Sequence, residues 1–223
     1  MMEDTDSIRS PLSERLVENF ERITQQFPQN AVAFNNLIKR LKLLDVQSTS
    51  VQCGQQMPPF LLPDQNGQLV GMEDLLSDGP LIVSFNHGHW CTFCEIELAE
   101  LREYHAEIES VGGKVITIIP DRRAYALKLK EQQKLQFPVL TDVNNGYALL
   151  MGLAVPLGKE VRDILGSNNF DVAAFQGNEG LIVPTPATYI VDGTGLIIGR
   201  HVESDFTSRM SGDEILNIIR KYY

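Results

Sequence analysis

Apolar residues in the first fifty positions recur three and four residues apart, which is the period of an amphipathic helix. One series follows Ser10-Pro11, and a second ends at Leu44. Proline is favoured at the first helical position, so Pro11 indicates a helix start. The pattern predicts a helical hairpin with helices over residues 11–27 and 31–44, after a polar, disordered segment at residues 1–10. This hairpin either packs over one side of a sheet or forms a dimerisation or partner surface.

Beyond residue 50 short apolar runs alternate with helical series. Leu81–Phe85 is an almost continuous apolar run, typical of a strand buried on both faces. Helical spacing follows over residues 91–110, and residues 115–119 form the next apolar run. Strand, helix and strand in this order predict a βαβ unit with parallel strands. Other predicted elements are a β-hairpin at 51–70, helices at 72–76, 122–133, 145–151 and 159–165, a strand at 196–200, and a closing helix capped at Ser211.

Two cysteines, Cys91 and Cys94, stand three residues apart where the helix after the buried strand begins. Both lie on one face of the first helical turn, where free N–H groups and the macrodipole favour an anion. A cysteine in this place ionises more readily than a free one, whose pKa is about 8.5. The pair can therefore supply a nucleophilic thiolate and a second thiol that closes a disulfide with it.

Composition narrows the function classes. The chain has 223 residues, 43% of them hydrophobic, and a formal net charge of -10, which argues against a nucleic-acid partner. No apolar run approaches the ~18 residues of a membrane span. The acidic N-terminus does not have the pattern of a secretory signal, so we expect a cytoplasmic protein. Structural disulfides are rare there, and the three cysteines then indicate redox chemistry.

Two other interpretations of the cysteine pair compete with redox chemistry. Free cysteines often act as small buried apolar residues. A zinc site would combine the pair with His87 and His89, but zinc usually takes four ligands from two separated pairs, and no second cysteine pair exists. We therefore expect no metal.

Four separated motifs carry a family resemblance. They are Trp90-Cys91-Thr92-Phe93-Cys94, the Gly54-to-Gly67 segment with Pro58, Phe60 and Asp64, Phe137-Pro138-Val139-Leu140, and Pro184-Thr185-Pro186-Ala187-Thr188-Tyr189. Together they resemble the thioredoxin superfamily, in the peroxiredoxin-like (AhpC/TSA-type) branch that carries WCxxC. The resemblance covers residues 51–223. It implies a thioredoxin-like three-layer α/β/α fold with a central mixed β-sheet, to which residues 1–50 add the N-terminal helical hairpin and residues 153–180 an insert.

The same resemblance implies roles for individual residues. Cys91 would be the more exposed thiol and attack a disulfide, and Cys94 would resolve the mixed disulfide. Trp90 belongs to the motif, and Thr92 and Phe93 would set the reduction potential. Pro186, preceded by Thr185, would form a cis peptide bond that faces the pair and leaves the preceding backbone free for substrate.

Three smaller points stay open at this stage. His89 either stabilises the Cys91 thiolate or only hydrogen-bonds the turn. Cys53 is either a buried structural cysteine or a resolving thiol. The insert either controls substrate access or is a surface excursion.

Peroxidases of this family place Pro, Thr and Arg around the reactive cysteine. When Cys94 is aligned with that cysteine, none of the three supporting residues is present. His87 stands at the proline position, Cys91 at the threonine position and Pro186 at the arginine position. No motif places Arg122, Arg123 or Arg200 beside the thiolate. We therefore expect a thiol-disulfide oxidoreductase first, and then a peroxidase that reduces hydrogen peroxide or alkyl hydroperoxides with Cys94 or Cys91. A redox sensor without turnover is the third class. The expected electron donor is of the thioredoxin or glutathione type, a homodimer is conceivable, and no bound cofactor is implied.

Overall fold

The amphipathic N-terminal series forms two helices, as predicted. In the computed structural model, which describes residues 10–77, 79–180 and 182–222, α1 is Leu12–Gln26 and α2 is Pro28–Leu44, followed by the single turn α3, Val46–Thr49. Pro28 occupies the first turn of α2, so this helix begins three residues earlier than predicted. The disordered start predicted for residues 1–10 lies, apart from Ser10, outside the described residues.

The rest of the chain alternates between strands and helices. In order, the elements are β1 Leu61–Pro63, β2 Leu69–Gly71, α4 Met72–Leu76, β3 Leu81–Phe85, α5 Thr92–Ser110, β4 Lys114–Ile119, α6 Arg123–Gln133, β5 Val139–Thr141, a 3₁₀ turn Val143–Asn145, α7 Gly146–Leu150, β6 Ala154–Pro156, α8 Lys159–Ser167, α9 Val172–Gln176, β7 Ile182–Pro184, β8 Ala187–Val191, β9 Ile197–Val202 and α10 Gly212–Tyr222.

The central sheet is mixed, as the family resemblance implied. Its strand order is β5-β4-β3-β8-β9. Strands β3, β4 and β5 are parallel, whereas β8 pairs antiparallel with β3 and with β9. In the register, Phe85 at the end of β3 lies opposite Ile118 and Ala187. The carboxyl end of the central strand therefore leads directly into the cysteine-bearing turn.

Helices cover both faces of this sheet. Every residue of β3 is buried, and successive side chains point to opposite faces. Ile82 packs into a core with α5, α6 and α10, and Leu81, Val83 and Phe85 pack into a second core that includes α1, α2, α7 and α8. Burying an aliphatic or aromatic side chain contributes about 1.5–3 kcal/mol. This two-sided burial explains the uninterrupted apolar pattern of β3.

The helical hairpin is part of the core. Arg15 of α1 forms an ion pair with the buried Glu100 of α5. The Asn19 side-chain amide donates a 3.1 Å hydrogen bond to Thr92 Oγ1, at the start of α5. These contacts support the predicted packing role, while dimerisation and a domain boundary at residue 50 stay predictions.

The insert has secondary structure of its own. The predicted helix at 159–165 is present as α8, and the β6–β7 pair closes the insert at its base. Helix α2 packs against α8, where Arg40 Nη2 donates a 3.0 Å hydrogen bond to the Leu157 carbonyl. The hairpin and the insert therefore meet on the same side of the sheet. No helix in the described residues is long and apolar enough to cross a membrane.

Candidate active site

The cysteine pair begins α5. Cys91 is the N-cap residue, and its sulfur accepts a 3.3 Å hydrogen bond from the backbone N–H of Cys94. Both residues are free thiols and both are buried, with 5% of Cys91 and 1% of Cys94 exposed. Cys91 is therefore the more exposed of the two thiols, as the resemblance implied, although little of its surface is accessible. The hairpin and the insert, whose positions depend on long-range packing, cover it.

The two thiols differ in acidity. Burial raises the pKa of Cys91, but hydrogen bonding from Cys94, the charge of Arg209 and the Cys94 backbone N–H outweigh burial, and the pKa ends below its ordinary value. Burial raises the pKa of Cys94 well above its ordinary value, and the neighbouring Cys91 raises it further. Since the thiolate is the nucleophilic form, Cys91 is the better nucleophile of the two.

An arginine lies against the pair. Arg209, in the loop between β9 and α10, places Nη2 3.8 Å from the Cys94 sulfur. Its Nε forms a 2.7 Å ion pair with Glu97 of α5, and both side chains are almost fully buried. Burial lowers the pKa of Arg209, but Glu97 and the sulfurs more than offset this effect and raise it. Arg209 therefore supplies a permanent positive charge beside the thiolate.

The arginines singled out in the sequence lie elsewhere. Arg122 lies over the Tyr125 ring, at 5.8 Å from its centroid. Arg200 donates hydrogen bonds to Ser50 and to the carbonyl of Gln47. Arg123 lies beside the β1–β2 turn at Gly67. The sequence did not indicate Arg209, because no local pattern distinguishes an arginine before a helix cap. The apolar residues Phe206 and Met210 near it were the one sign that this segment is buried.

Below the pair Glu97 organises a polar network inside the core. Ser84 of β3 donates a 2.9 Å hydrogen bond to Glu97 Oε1, and Thr188 of β8 donates one of 3.1 Å. Asn86 donates to Ser84 at 2.7 Å. Arg209 donates to the second carboxylate oxygen, so both oxygens of Glu97 have hydrogen-bond partners. A carboxylate with these partners tolerates full burial.

The histidine beside Cys91 is His87. Its Nδ1 lies 3.5 Å from the Cys91 sulfur, and its ring stacks on Trp90, with centroids 5.9 Å apart. His89, expected near Cys91, instead directs Nδ1 to Asp121 at 2.7 Å. Its backbone N–H donates to the same carboxylate at 2.8 Å. His89 therefore takes neither of the two roles considered for it, because Asp121 follows β4 and lies outside the turn. The geometry of that turn decides which histidine faces the sulfur.

The motif residues between the cysteines contact the hairpin. Thr92 accepts the hydrogen bond from Asn19, and Phe93 packs edge-on against Phe34 of α2 and against Phe206. Phe34 and Phe206 also contact each other edge-on. A role for Thr92 and Phe93 in setting the reduction potential stays a prediction.

The segment before Pro186 differs from the expectation. All peptide bonds among the described residues are trans, including Thr185–Pro186, and both residues are buried. The Thr185 N–H donates a 2.7 Å hydrogen bond to the Leu153 carbonyl. The insert therefore occupies the backbone that was expected to be free for substrate. The predictions of a cis bond and of a free edge were both wrong, because the insert pairs with this segment.

Cys53 is separate from the pair. It is an exposed free cysteine, which contradicts the buried structural role, the one the sequence favoured of the two considered. The turn before β1 places it at the surface, and the buried cluster of His87, Cys91 and Cys94 does not include it. A resolving role for Cys53 has no support in this geometry.

A cavity of about 230 Å³ lies over Cys91. The hairpin, the insert and the loop of Phe206 form its walls, and His87, Trp90 and Cys91 form its floor. Its apolar wall residues are Ile23, Phe27, Phe34, Leu37, Leu157, Val161, Ile164, Leu165, Phe170 and Phe206. A molecule that reaches Cys91 through this cavity must therefore be small and tolerate apolar surroundings.

A family comparison agrees with this site. The sequence model of the AhpC/TSA family matches residues 53–200. The chain belongs to the AhpC/TSA family. The matched region includes the cysteine pair and ends before Phe206 and Arg209. The hairpin, the arginine and part of the cavity wall therefore come from outside the family region.

Two curated proteins are among the similar sequences. Thiol-disulfide oxidoreductase ResA of Bacillus cereus is 29% identical over 93 residues, which are 41% of this chain and 53% of ResA. This match spans about half the length of ResA. Peroxiredoxin Bcp of Escherichia coli is 23% identical over 172 residues, 77% of this chain and 97% of Bcp. Together with the cysteine pair, they identify the AhpC/TSA chain as a thiol-dependent oxidoreductase.

Solved structures agree on the fold. Peroxidoxin BcpB from Mycobacterium tuberculosis superimposes with a TM-score of 0.61 at 21% identity, over 78% of this chain and 99% of BcpB. A peroxiredoxin 6 mutant from Arenicola marina gives a TM-score of 0.60 at 14% identity, over 77% of this chain and 73% of its own. At these identities the likeness concerns the thioredoxin-like fold alone.

Proposed function

We propose that this protein reduces a small peroxide in a two-thiol cycle, in which Cys91 attacks and Cys94 resolves. The observation that carries the proposal is the placement of the more acidic thiol on the floor of an apolar cavity, with the second thiol directly behind it. A peroxide is small enough to enter, and a thiolate reacts with it to form a sulfenic acid.

The proposed first step uses the Cys91 thiolate. Its sulfur attacks one peroxide oxygen, an S–O bond forms, the O–O bond breaks, and the alcohol or water leaves with a proton. Arg209, whose charge lowers the pKa of Cys91, stabilises this thiolate before the attack, in place of the arginine that the family pattern positions at Pro186. His87 lines the cavity beside Cys91, so its ring can donate a proton to the leaving oxygen.

In the second step Cys94 attacks the sulfenic acid sulfur. A disulfide forms and water leaves, so two thiols have reduced one peroxide. A thioredoxin- or glutathione-type donor then reduces the disulfide. Such donors fit the cytoplasmic setting that the sequence predicts.

The apolar walls favour an organic hydroperoxide over hydrogen peroxide. An apolar substituent buried against them gains about 25 cal/mol per Å² of buried area. We therefore expect a lower KM for cumene hydroperoxide than for hydrogen peroxide.

Thiol-disulfide exchange is the second candidate, and it was the first expectation from the sequence. The order of acidity supports it, since an acidic first cysteine and a less acidic second one suit attack and resolution of a mixed disulfide. The paired backbone at Thr185 and the covered cysteines argue against a protein disulfide as the substrate.

One experiment separates the candidates. Reduced wild type, Cys91→Ser, Cys94→Ser and the control Cys53→Ser are each given cumene hydroperoxide, hydrogen peroxide and a protein disulfide. We expect Cys91→Ser to lose peroxide consumption, Cys94→Ser to stop at a sulfenic acid that dimedone traps, and Cys53→Ser to behave as wild type. If the protein reduces only the protein disulfide, and this activity needs Cys91, the result would favour thiol-disulfide exchange. If none of the three substrates is reduced, the role of a redox sensor without turnover would be the one that remains.

A further inference from the structure

Three atoms of the kinds that bind zinc, one imidazole nitrogen and two sulfurs, lie close together beside the cavity. A ring nitrogen of His87 and the sulfurs of Cys91 and Cys94 all lie within 4.8 Å of one another, and all three residues are buried. The Nδ1 of His87 is 3.5 Å from the Cys91 sulfur. Tetrahedral zinc, with Zn–S bonds of about 2.3 Å and Zn–N bonds of about 2.0–2.1 Å, places such atoms about 3.6–3.8 Å apart. The cluster therefore needs little rearrangement to hold the ion.

The protein holds these ligands in place. Cys91 and Cys94 are fixed by the first turn of α5 and by the hydrogen bond between them. The His87 ring is nearly parallel to that of Trp90, at an interplanar angle of 4°, and contacts Phe206 on another side. Ligands that are already oriented lose little conformational entropy when an ion binds.

The local charge also suits a divalent cation. Two thiolates carry the charge that Zn²⁺ neutralises. Arg209 would repel the cation, but Glu97 already balances it in a 2.7 Å ion pair. Since His87 and Cys91 line the cavity, a fourth coordination position facing it is open to water or to a small thiol. Three protein ligands and an open position are usual for zinc outside purely structural sites.

We propose that, in the reduced protein, His87, Cys91 and Cys94 form a Zn²⁺ site that holds the cysteine pair out of redox turnover. Binding forms two Zn–S bonds and one Zn–N bond and releases the protons of the thiols, with no change in oxidation state. Oxidation of the pair to a disulfide removes both sulfur ligands and releases the ion. The site differs from the one weighed in the sequence, because His89 is engaged by Asp121.

The test uses the full chain, reduced and freed of metal. Zn²⁺ is titrated against a chromogenic chelator, and Co²⁺ is added separately to report thiolate ligation by its charge-transfer absorption. We expect one Zn²⁺ per reduced chain and none per oxidised chain. His87→Ala should weaken binding at least about tenfold, the loss that even an outer-shell change can cause. Cys94→Ser should reduce the charge-transfer absorption and weaken binding likewise.

Matched controls and a readout independent of activity complete the design. His105→Ala and Cys53→Ser change the same residue types away from the cluster and should bind Zn²⁺ as wild type does. Bound Zn²⁺ should also protect Cys91 from alkylation. Wild-type affinity in His87→Ala, equal binding to the oxidised chain, or loss of binding in Cys53→Ser would each overturn the site. These outcomes do not depend on whether the substrate is a peroxide or a disulfide.

Discussion

Arg209 Nη2 lies 3.8 Å from the sulfur of Cys94, across 115 positions of sequence. The same guanidinium lowers the pKa of Cys91 through its charge. One buried cation therefore contacts one thiol and acts on the other. Together with the larger effect of the hydrogen bond from Cys94, it lowers the pKa of Cys91 in a site where burial raises it.

Replacing Arg209 with glutamine should raise the pKa of Cys91. In the wild type, alkylation of Cys91 should accelerate with rising pH and level off at a lower pH than for an unperturbed thiol, since only the thiolate reacts and the pKa of Cys91 is lowered. In Arg209→Gln the midpoint should move to higher pH, and the rate below it should fall about tenfold for each pKa unit. The rate of alkylation by iodoacetamide, measured across pH, gives both the midpoint and the rate below it.

Arg200→Gln is the control for this change, since Arg200 is bonded to Ser50 and not to the pair. An unchanged pH profile in Arg209→Gln, in a variant that melts cooperatively, would contradict the role of the charge.

Glu97→Gln should destabilise the fold. It should also lower the pKa of Cys91, whereas Arg209→Gln should raise it. The change leaves Arg209 buried without its carboxylate, which costs about 3–5 kcal/mol in free energy of unfolding. With its charge no longer balanced, Arg209 should lower the pKa of Cys91 further. Urea unfolding and the alkylation profile test the two effects separately. Glu109→Gln, on the exposed side of α5, should change neither.

Ile164→Trp should narrow the cavity. Ile164 lies on α8 and lines the cavity wall, so an indole there occupies space over Cys91. We expect KM for cumene hydroperoxide to rise several-fold, while the hydrogen peroxide rate changes little because that substrate is small. Leu149→Trp, at an exposed position on α7, controls for added bulk. Equal losses with both peroxides would show that the cavity does not select the substrate.

Gly88→Ala should disturb the turn that carries His87 and Cys91. Gly88 has φ +143°, and an added Cβ would lie 2.6 Å from Trp90 Nε1 and 2.7 Å from Asp121 Oδ2. We expect a loss of about 1–3 kcal/mol in free energy of unfolding. Gly166→Ala in α8 is the matched control, because its Cβ meets nothing within 4 Å and alanine favours a helix. Thermal denaturation of both variants gives the comparison.

The sequence by itself determined the elements and the reacting pair. The helical hairpin, the buried strand β3 and the two cysteines at the start of α5 follow from periodicity and from the spacing of Cys91 and Cys94. These features depend on residues within one or two helical turns, or on the burial of a single strand. The order of apolar and polar residues in a short stretch of sequence therefore predicts them. The motifs around Trp90 and Phe137 then pointed to the family.

Only the tertiary structure decided what surrounds the pair. It brings Arg209 to Cys94, turns His89 to Asp121 so that His87 faces the sulfur, and pairs Thr185 with the insert rather than leaving it free. It also closes the cavity between the hairpin, the insert and the loop of Phe206. Apart from the contact of His87 with Cys91, these contacts join residues far apart in sequence. Such contacts depend on how the elements pack together, which no local period or spacing encodes.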